Sequence, residues 1–473
     1  MFFSTKYQAF MPQKKAKTFL KWVFLFTFTC LHSHCGLLAG NQNRINSAMD
    51  LNDELATERT RNQPPADDYF DQSYLRFADF VYSNNIKSVL FNRVGWEFSL
   101  PIIELNSADK LELRFDDLDA DFKSYAYTLI HCNALWQPSG LMEYEYLQGF
   151  YEDRIVNYSF SRNTRTAFTH YHLELPNRNM QPLLSGNYLL KVFHEGDPDA
   201  VVLTRRLMVV EPLVSIDATV KQATNLNFRA THQEIDFTIR TQFFPISNPY
   251  RDLRVVVRQN NRWDNAIIDL KPRLVQGSSL IYDYEDDNLF AGGNEFRNFD
   301  TKSLRFRSLH VREISPSHRG WDVVLMTDRN RRFLRYTTSN DINGRFLIRT
   351  EDYPDDMLES DYTWVHFSLT QPEPLAGGNV YVVGGFSDWA YTHPYRMEYN
   401  YHKQQYELSV LLKQGFYDYQ YAFLEDGATQ ADVTLFEGSH SIAENDYSIL
   451  VYYRRPGDLH DSLIGMQFLN SGM

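Results

Sequence analysis

From Ile86 onward the chain reads as strand-length apolar runs divided by polar or glycine-containing breaks. The segments "SVLFNR", "EFSLPIIEL", "KLELRFDDL", "SYAYTLIHC", "HYHLELP", "GNYLLKVFHEG" and "VVLTRRLMVVEP" predict about seven strands spaced as in a β-sandwich. In "SYAYTLIHC" alternate residues part to opposite faces, Tyr125, Tyr127, Leu129 and His131 on one and Ala126, Thr128, Ile130 and Cys132 on the other. The second set is small and apolar, so Cys132 is expected in a core. After Pro212 the segments "IDATVKQ", "EIDFTIRT", "DLRVVVRQN", "SSLIYDYE", "SLRFRSLHVREI", "GWDVVLM" and "GRFLIRTE" repeat the pattern. A third block holds "YTWVHFSLT", "NVYVVGGFS", "QYELSVLLKQGFYDYQYAFLEDG" and "HSIAENDYSILVYYR". The predicted class is all-β: three consecutive immunoglobulin-like sandwiches over residues 86–212, 213–357 and 358–455. Residues 456–473 form a tail that docks or stays loose.

The N-terminal part lacks this pattern. Basic residues precede an apolar run from Trp22 to Phe28, and small residues follow at Ala39 and Gly40, the three parts of a secretory signal peptide over residues 1–40. Met11 is an alternative start. The apolar run is shorter than the ~20 residues of a membrane span, and Cys35 follows two histidines and a serine rather than the small residues of a lipoprotein signal. Residues 41–85 are polar and read as a flexible leader, with a short amphipathic turn near its end.

At 473 residues the chain has room for about three domains. Its 34 Phe, 30 Tyr and 7 Trp suit large sandwich cores. The net charge of −13 becomes −18 once residues 1–40, with five lysines and no carboxylate, are removed. That balance argues against nucleic acid or an anionic membrane as the main partner. Cleavage leaves Cys132 as the single cysteine, so no internal disulfide framework is expected. The mature chain is expected beyond the inner membrane.

The acidic stretch "FDDLDADF" has Asp117, Asp119 and Asp121 at calcium-loop spacing. However, loop position 6 would be Phe122 where glycine is needed, and position 12 would be Thr128 where a bidentate glutamate is needed. A looser calcium site or a solvated turn remains. His131 and Cys132 are adjacent on a strand, point apart, and cannot share an ion. No GxSxG, HExxH, Walker loop, GxGxxG or CxxC is present. No enzyme activity, metal, cofactor or small-molecule substrate is expected.

The segments "YVVGGFSDWAYTHPYRMEY" and "LLKQGFYDYQYAFLEDG" resemble early-set immunoglobulin-like domains of the glycogen-binding kind, through Gly385, Phe386 and Trp389 and then Tyr419, Tyr421, Phe423, Asp426 and Gly427. The resemblance implies a glycan-stacking role for Trp389 as an alternative function. Ala422 stands where those domains carry a hydrogen-bonding lysine, which weakens it.

A longer resemblance rests on "WEFSLPIIEL", "LRFDDLDADFKSYAYTLIHCNALWQPSGLMEYEYLQGF", "THYHLELPNRNMQPLLSGNYLLKVFHEGD" and "LTRRLMVVEP". Together these cover most of residues 86–212 and resemble the plug protein family of the Bacteroidota type IX secretion system. Ala120 stands where that family has glycine in the acidic turn. The resemblance implies a periplasmic protein at the inner side of the outer membrane, binding the periplasmic end of an SprA/Sov-type β-barrel translocon and closing it reversibly. Such an interface is expected to be polar-rimmed with aromatic and Arg anchors. The expected contacts are Asp116, Asp117, Asp119 and Asp121, with Trp136 in the following loop as anchor.

Overall fold

The first sandwich forms where alternation is cleanest. In strand Leu111–Asp117 the residues Leu111, Leu113 and Phe115 are fully buried, and in Tyr125–Cys132 the same holds for Tyr125, Tyr127 and Leu129. These inward rows meet across two sheets. One runs Ile86–Arg93, Leu111–Asp117, Thr169–Leu175, Asn157–Phe160; the other runs Phe80–Val81, Asp197–Val210, Gly186–His194, Tyr125–Cys132, Asp153–Arg154. Tyr125, Tyr171 and Phe115 pack edge-on and stacked at centroid distances of 4.9–5.6 Å in the core between them. Each such buried ring contributes roughly 1.5–3 kcal/mol of apolar burial. This computed structural model describes residues 74–472. The expected signal peptide, and the leader up to residue 73, lie outside the described residues.

The all-β class and the multi-sandwich architecture hold. The expected serial division does not follow the strand pairing. Strand Leu253–Gln259 pairs with Asp446–Tyr453, and that strand pairs with Ser462–Asn470. The second core therefore joins Ile235, Phe237, Val255 and Val257 to Ile449, Val451 and Ile464. The third core takes Phe299, Val311, Val323 and Ile348 together with Val365, Val382, Tyr417 and Tyr421. The third sandwich is thus inserted between two parts of the second. Residues 297–357, expected in the second sandwich, build the third; 446–453, expected in the third, close the second; and the tail supplies a strand. The cause is that antiparallel pairing depends on which apolar face is left open, not on nearness in sequence.

The end of the expected leader is also structured. Phe80–Val81 pairs with Leu203 and Thr204, and Arg206 accepts that segment by donating to the Phe77 carbonyl. Glycine is needed where strands crowd: a Cβ at Gly415 would lie 2.0 Å from the Leu347 carbonyl oxygen.

Candidate functional site

Asp116 is the next-to-last residue of strand Leu111–Asp117, whose alternation turns its carboxylate away from the first core, toward the third sandwich. Its Oδ2 accepts from Lys413 Nζ at 2.6 Å and from the Tyr362 hydroxyl at 2.7 Å, and its Oδ1 lies 2.7 Å from His170 Nδ1. Asp116 and Lys413 are both 1% exposed at the side chain. Burial pushes the Asp116 carboxyl up, but the Lys413 ammonium and the His170 hydrogen bond outweigh it and hold the group below the usual carboxylate range. Burial draws the Lys413 ammonium below its ordinary value against the pull of Asp116. With three donors on the carboxylate, and with Lys413 also donating to the Met357 carbonyl, the pair is ionic. Asp361 extends this seam by accepting from the backbone N–H groups of Arg165 and Thr166 at 2.8 and 3.0 Å.

Asp117 is fully buried and builds the acidic turn itself. It accepts from the Asp119 backbone N–H at 3.0 Å, the Tyr125 hydroxyl at 2.8 Å and Asn85. Burial raises its carboxyl, and these donors with Lys123 more than reverse that. The Lys123 ammonium sits 3.0 Å from Asp117, against Asp119, and 4.0 Å from Asp121. The three aspartates at calcium-loop spacing therefore converge on a lysine. Asp119 and Asp121 keep 55% and 64% of their side chains exposed.

Trp136 is 4% exposed and faces the second sandwich. Its ring meets Trp263 edge-on at 5.3 Å, and the Arg206 guanidinium lies 4.5 Å over it. Cys132 shares this seam, and burial pushes its thiol up to about 12. His131, on the opposite face, packs edge-on against Tyr188. Trp389 joins the remaining seam: the Arg262 guanidinium lies 4.9 Å over its ring and Phe296 meets it at 5.9 Å. Arg262 is held by Asp264, which also accepts from Tyr391 at 2.7 Å.

Asp116, Asp117 and Trp136 are thus internal groups, which corrects their expected place on a partner-facing surface. Only Asp119 and Asp121 of that set face solvent. Trp389 carries covering groups on its ring, so it is not the open platform a sugar needs. Sequence reading missed Lys413 and Tyr362, although a lone lysine in the apolar run "LSVLLKQGF" signals a buried partner.

The family model described as the type 9 secretion system plug protein 1st domain matches residues 86–211. The chain belongs to the type IX secretion system plug family. Members of this family are components of secretion machinery. The chain is also similar to a hypothetical protein from Parabacteroides merdae known from a crystal structure: 38% identity, 84% of this chain and 100% of that one covered, TM-score 0.81. No curated protein matches the sequence. Among the described residues no helix is long and apolar enough to cross a membrane.

Proposed function

We propose that this family member acts in the periplasm as a non-enzymatic plug, binding the periplasmic end of the SprA/Sov-type outer-membrane translocon and closing its channel reversibly. The observation that carries the reading, beside family membership, is the locking of three sandwiches into one body. A body that does not flex can occlude a wide aqueous pore by its shape alone. Each seam here combines apolar contact with a buried charged or aromatic group: Asp116 with Lys413, Trp136 with Trp263, and Asp264 with Arg262 and Tyr391. Breaking a buried pair by removing one partner costs about 3–5 kcal/mol, so hinge motion across these seams is disfavoured. The solvent-facing Asp119 and Asp121 remain the proposed contacts from the acidic turn.

The test is recovery of the translocon on a tagged copy of the protein from outer membranes. The expected result is co-purification that increases when cargo or the lateral-gate partner is absent. Repeated failure to recover the translocon in that background would sink the proposal.

A further inference from the structure

One side of the first sandwich is left open. Strand Asn157–Phe160 is the outermost of its sheet, is exposed along its whole length, and pairs on one side only, with Thr169–Leu175. Hydrogen bonding alternates along an antiparallel strand. The Ser161 N–H bonds the Phe168 carbonyl at 2.9 Å, whereas the Arg162 N–H points the other way and bonds Leu358 of the third sandwich at 2.9 Å. By that alternation the backbone groups of Tyr158 and Phe160 also point outward, and no hydrogen bond to them occurs among the described residues. The side chains of the same two residues lie on the inner-face side, Tyr158 beside Tyr171 and Phe160 edge-on to Tyr158, yet are 42% and 52% exposed. Phe122, 53% exposed, packs on Tyr158 at 4.8 Å. The strand contains neither the lysine nor the proline that commonly protects an edge.

At the end of this edge the Arg162 guanidinium is taken by Asp355 at 2.8 Å, and the acidic turn leaves negative charge in excess. Thr169, the register partner of Phe160, donates to the Asp121 carbonyl at 2.7 Å, which fixes the acidic turn next to the strand end. There one lysine serves Asp117, Asp119 and Asp121.

We propose that this edge receives an extended segment of a partner protein by strand addition, with apolar residues at alternate positions covering Tyr158 and Phe160, and Lys or Arg at one end meeting Asp119 and Asp121. Main-chain bonds to Tyr158 and Phe160 supply affinity, and the acidic turn sets direction. The binding is a property of the isolated protein, so its failure and a failure of the channel reading are separate results.

The probe is a labelled synthetic peptide of alternating valine and threonine ending in two lysines, titrated with the protein and followed by fluorescence anisotropy. Saturable binding is expected, weakened about tenfold by Phe160→Pro, which removes an outward N–H and the ring, fixes φ, and takes no donor from the ladder to Thr169–Leu175, and by Asp121→Lys. A version of the peptide ending in two glutamates is expected to bind about tenfold more weakly. Asp121→Lys lies on the surface and keeps the test sound if the proline variant does not fold. No saturable binding, or binding that ignores both substitutions and the peptide's charge, overturns the proposal. A concentration-dependent dimer that these substitutions abolish also overturns it, by showing a second copy of the chain as the occupant.

Discussion

Ala120 has φ +57°, the left-handed region, inside the turn built by Asp117. A side chain there costs roughly 1 kcal/mol relative to glycine. Ala120→Gly is therefore expected to raise stability by about 0.5–1 kcal/mol, read as a higher urea midpoint with unchanged slope. His131 poses the opposite case of a well-placed but chemically awkward group. Burial, with His460 nearby, lowers its pKa to about 4, and the Ser185 backbone beside the ring offsets this only in part. The unfolded chain takes up this proton near pH 6.5 and the native state does not until about pH 4. Its effect on stability is absent above pH 6.5 and grows as pH falls toward 4, reaching about 3 kcal/mol lost. His131→Gln should flatten the difference in urea midpoint between pH 7 and pH 4.5 relative to the parent protein. A parallel pair of curves would contradict this.

At the level of elements, most strands were legible because their alternation was local: Leu111–Asp117, Tyr125–Cys132, Thr169–Leu175 and Tyr362–Thr370 fall where period-2 reading puts them. Asn157–Phe160 was not, since a strand exposed on all four residues shows no alternation. Nor was Ser462–Asn470, whose glycine and methionine blur an otherwise apolar row that buries Leu463 and Ile464. The same limit hid the candidate site. Asp116 reads as one of several turn aspartates until Lys413, 297 positions away, is brought to it. Because Ile464 belongs to the second core and Leu463 to its seam with the first, a chain ending at Pro456 is expected to lose the second sandwich. Limited proteolysis should then cut within 213–293 while the first sandwich resists.

For the whole molecule, stability should be shared across seams. Lys413→Ala leaves the Asp116 carboxylate buried beside Tyr362 and His170 without its cation. The expected cost is about 3–5 kcal/mol, and Asp116→Asn combined with Lys413→Met should recover much of it. Calorimetry should show one cooperative transition for the parent protein and two for Lys413→Ala, as the third sandwich uncouples. A single unbroken transition in that variant would mean that the Asp116–Lys413 pair does not couple the sandwiches.

Insertion of the third sandwich into the second also sets an order of assembly. Synthesis delivers Leu253–Gln259 about 200 residues before its partner Asp446–Tyr453. Until Asp446–Tyr453 has been made, that strand presents an open edge, a state prone to mispairing with other chains. The second sandwich closes last, and only after the third has been made. The second sandwich therefore cannot close stepwise from its N-terminal strands, and an edge it needs for its own fold is meanwhile open to wrong partners.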